Sequence, residues 1–473
     1  MEKSVRKNFI YSSFYQILVL VLPLVTTPYV SRVFGAEKLG VYSYTNTIAQ
    51  YFVIFTMLGL NNYGNRAIAI VRDDKKKLDV TFSEIYTMQI FTGIISLLCY
   101  IVYALYIAKE YRTYSIILSI YVLSSVFDIN WLFFGLEKFK LTVTRNSIIK
   151  IVSVIAILIF VKTKDDLWIY TTIYAAMSIL STVVLIPYAA KEVRYIKPSL
   201  AGVCSHIKPN LIMFIPVIAV SVYKYMDKLM LGNFSKIETG YYDNVEKILT
   251  VALGFITAFG NVMLPRMSNM VAKKDDAGVK KTIALSMRFV LGMSMAMAVG
   301  LSAIASDLVP LYFGKGFDEC ISIMRVFVFS MLFQSWANVI RTQYLIPYKY
   351  DNVYVGSAIA GAVLNFGVNY ILIPKMGAMG AVIGTLVAES AVAIVQTIAA
   401  RKDLEILLYI RQGCPYILFG VCMYVVVKII SQLKISKIVL ISLEVSSGAA
   451  VYLLLWGVYE LYMRGKKNRD CFF

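Results

Sequence analysis

The chain has 473 residues, 59% of them hydrophobic and only 16% charged, with a net charge of +19 and a mean hydropathy of +0.69. Soluble domains carry nearer ~25% charged residues, so this composition excludes an ordinary soluble protein and requires an integral membrane protein. The excess of bases does not indicate a nucleic-acid binder, because it is divided among short segments beside apolar runs, with no basic domain to hold a duplex; attraction to anionic lipid head groups accounts for it.

Apolar stretches of roughly 20 residues, each able to cross ~30 Å of hydrocarbon as a helix, recur from end to end. The first half of the chain predicts spans at 9–34, 41–62, 85–108, 113–136, 146–162 and 167–190. The second predicts 209–232, 242–264, 283–306, 320–346, 351–373, 379–400, 414–431 and 438–462, about fourteen in all. The first run is too long for a signal-peptide core and lacks a small-residue cleavage site, so it is expected to stay. No gap exceeds about 20 residues, too little for a separate domain of the usual ~50 or more. The chain is therefore expected to act inside the membrane.

With "MEKSVRKN" cytoplasmic, the even-numbered gaps face the same side. They hold "RAIAIVRDDKKK", "EKFKLTVTR", "KEVRYIKPSLAGVCSHIK", "PRMSNMVAKKDDAGVKK" and "RKDLEILLYIRQ", and the tail "MRGKKNRD" joins them. That places about 29 Lys and Arg inside against about 11 outside, which orients both termini to the cytoplasm.

The six cysteines, Cys99, Cys204, Cys320, Cys414, Cys422 and Cys471, form no CxxC or metal-like spacing, and no disulfide is predicted. His206, the only histidine, reads as a solvated loop residue, which leaves little from which to build a zinc site or a catalytic triad. The adjacent acids Asp73 and Asp74, Asp165 and Asp166, and Asp275 and Asp276 stand beside lysines and read as solvated charge without a convergent ligand set. No metal and no cofactor is expected.

Internal repetition is informative. "SRVFGAEKLGVYSYTNTI" follows the first span and "DKLMLGNFSKIETGYYDNVEKI" the seventh. Each has a base, then a glycine three or four residues on (Arg32 and Gly35; Lys228 and Gly232), then Gly-x-Tyr (Gly40 and Tyr42; Gly240 and Tyr242) opening the next span. "WLFFGLEKFK" after span four is echoed by "TQYLIPYKYD" after span ten. The chain thus reads as two six-span units, 1–200 and 205–405, with two further spans and a basic tail in 406–473. An even number of spans per unit makes the repeats parallel, with a cleft expected between two bundles. Pro23 and Pro28 in span one and Pro216 in span seven mark candidate bending helices, although membrane helices carry more proline in any case.

Lys224, Asp227 and Lys228 stand at i, i+3 and i+4 in span seven, on one helical face. A Lys or Asp at mid-span costs ~3 kcal/mol on insertion scales, so all three cannot face lipid at depth. Snorkelling of the long bases to head groups is the plainer reading for Arg32, Lys228 and Lys247, near span ends. Asp227 is too short to snorkel. A base-lined wet cleft, with Glu246 added from span eight, fits the set better. Asp128 and Asn130 in span four correspond in the repeat to Gln334, Asn338 and Arg341 in span ten. Arg325, Lys150, Asn365, Asn369 and Glu389 are further polar candidates, each equally suited to a helix–helix hydrogen bond. Such a cleft suits a lipid with an anionic head group: bases hold a diphosphate, Asn, Gln, Asp and Tyr meet sugars, and the tail stays in lipid.

The segments "PYVSRVFGAEKLGVYSY", "GLNNYGNRAIAIVRDD", "DKLMLG...GYYDNVEKI" and "LYFGKGFDEC" resemble the Wzx-type oligosaccharide flippases of the MOP transporter superfamily, and the likeness runs over essentially the whole chain. The resemblance implies an all-α, V-shaped transporter of about fourteen helices in a bacterial cytoplasmic membrane. It implies alternating access through a cationic cavity that moves undecaprenyl-diphosphate-linked oligosaccharide to the outer leaflet for O-antigen, capsule or similar polymers. The implied partners are the polyprenyl-diphosphate-linked glycan, membrane lipids and the polysaccharide polymerase machinery. Carried onto this sequence, the matching positions are Arg32, Asp227, Lys228, Glu246 and Lys247; Lys224 rests on the helical argument alone. Coupling to a proton or sodium gradient is also implied, with Asp128, Glu246 and Glu389 as the acids to test.

Three alternatives stay open. A flippase for the peptidoglycan-precursor lipid would share the architecture and a basic cavity. A drug/cation antiporter would need an acidic cleft. A membrane-bound sugar-transfer enzyme would need a carboxylate or metal constellation that the sequence does not offer.

Overall fold

In the computed structural model every regular element is a helix among the described residues, as lipid requires of a chain whose backbone groups must be met within each segment. The structure describes residues 2–470, with side chains excepted at 2–17, 20, 223 and 464–470. Cys471 and the charged groups of both termini lie outside the described residues. The first helices are α1 (Glu2–Met57), α2 (Leu60–Val71), α3 (Lys75–Val102), α4 (Arg112–Val126), α5 (Asn130–Gly135), α6 (Phe139–Phe160), α7 (Leu167–Val183), α8 (Ile186–Glu192) and α9 (Leu200–Phe234). They are followed by α10 (Lys236–Ala272), α11 (Asp276–Tyr312), α12 (Glu319–Phe327), α13 (Ser330–Ile340), α14 (Asp351–Met376), α15 (Ala378–Ala400), α16 (Ile406–Ile430) and α17 (Lys437–Asp470). Among the described residues twelve helical stretches, from Lys75–Ile107 to Lys437–Met463, are long and apolar enough to cross a membrane, and the first two expected spans fall together in α1. This is an all-α, multi-pass membrane protein. The chain divides into two compact units, 1–240 and 241–473.

Several expected boundaries are corrected. The first predicted loop shrinks to one residue, Gly35 (φ 71, ψ 175), a backbone conformation a side chain would penalise. The break in α1 therefore lies at Gly35 and not at Pro23 or Pro28, which sit inside the helix. The basic segment after span two is not a loop: "LNNYGNRAIAIV" forms α2, which buries Leu60, Gly64 and Ile68. Asp74 is more than solvated charge, since its carboxylate caps α3 by accepting from the Lys76 and Lys77 amides at 3.1 and 3.2 Å. Asp275 caps α11 through the Gly278 amide at 2.9 Å. His206 is likewise no solvated loop residue; it lies in α9 and bridges Tyr63 Oη (2.6 Å) and Glu84 Oε2 (3.0 Å).

The first unit packs α2, α3, α5 and α8 around Leu60, Ile68, Phe82, Ile85, Trp131 and Leu185. Lipid tails are as apolar as leucine, so helix contact here depends on close approach and polar links more than on burial from water. Gly64 supplies such an approach: a methyl there would sit 2.9 Å from the Trp131 ring. Gly40 and Gly240, counterparts in the sequence repeat, meet in one contact, because a Cβ on Gly40 would strike the backbone of Lys236 and Gly240, and one on Gly240 the carbonyl of Ala36. The α9 helix packs against α1, α2 and α3.

In the second unit Met263, Ile283, Met287, Val339, Ile340 and Tyr344 join α10, α11 and α13 in one core. A second core, with Tyr416, Phe419, Met423 and Tyr452, joins α11, α16 and α17, and Tyr452 Oη donates to the Gly292 carbonyl at 2.8 Å.

Spans four and ten are both interrupted, which hydropathy alone does not predict. The first breaks at 127–129 between α4 and α5, and the second is cut into α12, α13 and a π turn, Arg341–Leu345. Both then end in the same way. Glu137 (φ 56) and Lys349 (φ 61) take the left-handed conformation. The next amide reaches back five residues, Lys138 to the Phe133 carbonyl and Tyr350 to the Leu345 carbonyl, each at 2.8 Å. This double Schellman ending is the echo of "GLEKFK" and "IPYKYD" made physical.

Candidate functional site

Polar side chains inside apolar bundles need partners, and following those partners separates wiring from surface. In the first unit Arg32 stands exposed on α1, one turn before the Gly35 break. On α9 Asp227 is buried, Lys224 exposed and Lys228 partly buried. Lys224 Nζ lies 5.4 Å from the centre of the Tyr225 ring, and Tyr225 packs edge-on to Tyr51 of α1 at 5.9 Å. Tyr51 Oη donates to the Ser221 carbonyl at 3.4 Å. The outcome is a net cationic, tyrosine-backed strip where α9 meets α1.

Next to it lies a feature the sequence does not reveal. Lys236 Nζ sits 3.6 Å from the Tyr44 ring centre and 4.9 Å from that of Tyr111, and it donates to the Gly232 carbonyl. Tyr44 Oη donates to Asn233 Oδ1 at 2.6 Å. A desolvated ammonium over two rings is held by their quadrupoles. Lys236 reads as one more loop base in the sequence, and only the fold brings the two tyrosines to it.

Asp128 and Asn130 are in the α4–α5 break. Asp128 Oδ1 accepts from the Asn130 amide (3.0 Å) and from its Nδ2 (2.6 Å). Asn130 Oδ1 accepts in turn from Arg145 Nη2 at 2.7 Å, and Arg145 Nη1 donates to the Ser181 carbonyl. Gln89 closes the break from α3: its Nε2 donates to the Ser125 and Asp128 carbonyls, and its Oε1 accepts from Trp131 Nε1, each at 2.9 Å. Gln89 and the buried Arg145 were not among the predicted residues. Arg145 is hidden in the sequence because it ends the basic gap "EKFKLTVTR", which the fold makes part of α6.

In the second unit the predicted residues do not converge on one point. Lys247 pairs with Asp243 at 2.7 Å one turn earlier, and Glu246 sits partly buried beside it on α10. Arg325 donates through Nη2 to Ser306 Oγ at 2.6 Å. Arg341 opens the π turn, its guanidinium 5.8 Å from the Tyr354 ring centre, beyond the break that separates α12 from α13. Gln334 Nε2 reaches Ser330 Oγ at 3.4 Å. Asn338 is buried with Oδ1 turned toward Gly260 of α10.

Asn365 and Asn369, both fully buried, share one turn of α14 through an Nδ2-to-Oδ1 bond of 3.1 Å. Facing them, α15 carries Thr385, which is 3.1 Å from Tyr242 Oη, and the buried Glu389 one turn on. Gln343 and Glu444, both fully buried, are polar residues the sequence did not single out. Among the described residues no three His, Cys, Asp or Glu side chains form a metal-sized group.

The family model described as "Polysaccharide biosynthesis protein" matches residues 5–271, more than half of the chain. The chain belongs to the polysaccharide biosynthesis protein family. Two curated relatives carry the name "Putative O-antigen transporter". The one from Escherichia coli (strain K12) is 24% identical over 410 residues, 85% of this chain and 97% of the relative. The one from Shigella dysenteriae is 23% identical over 372 residues, 78% and 92% of the two chains. Among solved structures, the lipid II flippase MurJ in an inward closed conformation superposes with a TM-score of 0.77 at 14% identity, over 96% of this chain and 99% of that one. An inward-facing multidrug resistance MATE transporter of the MOP superfamily gives 0.62 at 14% identity, over 80% and 94%. This polysaccharide biosynthesis family member therefore has the fold of MOP-superfamily transporters.

Proposed function

We propose that the chain is a flippase that carries polyprenyl-diphosphate-linked oligosaccharide units from the cytoplasmic to the outer leaflet of a bacterial cytoplasmic membrane, with both termini in the cytoplasm. The observation that carries this reading is the net cationic strip of Lys224, Asp227 and Lys228 on α9, backed by Tyr51 and Tyr225, in a family member whose relatives are named for O-antigen transport. A diphosphate is drawn by such bases, while a cationic drug is repelled by them. Passage by alternating access, linkage to a proton or sodium gradient and cooperation with a polymerase belong to the same proposal.

The test is leaflet exposure of a lipid-linked oligosaccharide in proteoliposomes, wild type against Lys224→Ala plus Lys228→Ala at matched reconstitution. The expected result is translocation by wild type and a loss of about tenfold or more in the double variant, since each base near an anionic head group contributes ~1 kcal/mol. Equal translocation by both proteins would remove the cationic strip from the mechanism. Translocation of lipid II in place of the oligosaccharide carrier would move the substrate to the peptidoglycan precursor.

A further inference from the structure

A cleft of about 1010 Å³ opens in the second unit at the end where α10 finishes, α11 and α16 begin and α17 finishes. It is large against ordinary small-molecule sites of ~300–1,000 Å³. Arg266, Lys281, Arg288 and Arg411 line it from three different helices. Arg288 is engaged with Glu460, which also accepts from Trp456 Nε1. Of the nearby acids, Asp275 is the cap of α11 and Asp276 accepts from the Tyr348 hydroxyl at 2.6 Å, while Glu405 stands exposed at the start of α16. Arg266, Lys281 and Arg411 are exposed and make no ion pair among the described residues. The first turns of α11 and α16 both border the cleft, through Gly278 and Leu408.

The outer wall is apolar. Leu285 is 63% exposed and Tyr462 66%, and Leu408 and Met463 continue the surface along the spans. A free anion would have no use for that wall, whereas an acyl chain in the leaflet would lie along it.

We propose that this cleft binds an anionic glycerophospholipid of the surrounding leaflet, its phosphodiester held by Arg266, Lys281 and Arg411 and its acyl chains laid on Leu285, Leu408 and Tyr462. The bound lipid is a resident of the protein, separate from the transported solute, and it ties α17 to α11 and α16. The site stands whether or not the proposed transport reaction is right, because its test requires no turnover.

The experiment uses full-length protein, delipidated in a neutral detergent and titrated by native mass spectrometry with phosphatidylglycerol or with phosphatidylcholine of identical chains. Wild type is expected to retain phosphatidylglycerol about tenfold better than Lys281→Gln plus Arg411→Gln, at ~1 kcal/mol for each base near an anionic lipid. Phosphatidylcholine binding should not change. Lys315→Gln, an exposed base in the loop between α11 and α12, should behave as wild type. Should the glutamine pair fail to fold, the charge-keeping Lys281→Arg plus Arg411→Lys must retain the lipid, and its loss there would count against the site. Equal binding of both lipids to wild type, undiminished phosphatidylglycerol binding in the folded glutamine variant, or full displacement by inorganic phosphate would each overturn the proposal.

Discussion

The interruptions of spans four and ten occupy equivalent places in the repeat and end in the same Schellman turn, yet their interiors are managed differently. At 127–129 the freed backbone is collected by Gln89, and the side chains run on through Asp128, Asn130 and Arg145 to Ser181 in one connected series. At the later break, Gln343 is fully buried with neither amide atom hydrogen-bonded among the described residues, and Asn338 Oδ1 is in the same position. A buried amide without a partner costs about 1–3 kcal/mol, a penalty a native chain does not keep without a use. One break is wired as structure. The other keeps a reserve of buried amide groups without hydrogen-bond partners among the described residues.

Substitutions can break or sharpen that contrast. Arg145→Leu should have the largest effect, about 3–5 kcal/mol, because it strands Asn130 and Asp128 in a buried series; a sharp fall in thermal unfolding midpoint in detergent would show it, and an unchanged midpoint would dissolve the idea of a wired break. Gln89→Leu should follow at about 2–3 kcal/mol, since the Trp131 N–H and two carbonyls lose their partner together. Next, Lys349→Gly should raise stability by about 1 kcal/mol by relieving a left-handed non-glycine residue. Glu137→Gly should gain less, because the exposed Arg72–Glu137 pair at 2.6 Å goes with it. Gln343→Leu should lie within about 1 kcal/mol of wild type or above it. If that variant keeps its midpoint and loses translocation, the reserve is functional; if it unfolds like Gln89→Leu, the two breaks are alike after all.

Hydropathy made the helices of this protein legible, because it follows from the cost of placing polar groups in hydrocarbon. The misses share a different physics. "LNNYGNRAIAIV" reads as the start of a basic gap until Ile68 and Leu60 have a core to enter, and α2 exists because Trp131 and Gly64 meet. The loop at Gly35 disappears because one glycine can turn the chain where several residues were expected. Among site residues, Lys224 and Asp227 stood out by helical spacing alone. Lys236, Gln89 and Arg145 did not, since only the fold brings their partners to them: Tyr44 stands 3.6 Å from Lys236 in space and 192 positions away in sequence.

The lone imidazole offers a practical consequence. His206 Nε2 lies 3.0 Å from Glu84 Oε2 and its Nδ1 2.6 Å from the Tyr63 hydroxyl, so one imidazole on α9 links α3 and α2. Because the chain contains a single histidine, isotope labelling of that residue type yields the signals of one imidazole, from the point where α2, α3 and α9 meet. Its chemical shift would act as a built-in gauge of whether those three helices part during a transport cycle, readable in a membrane without adding any probe.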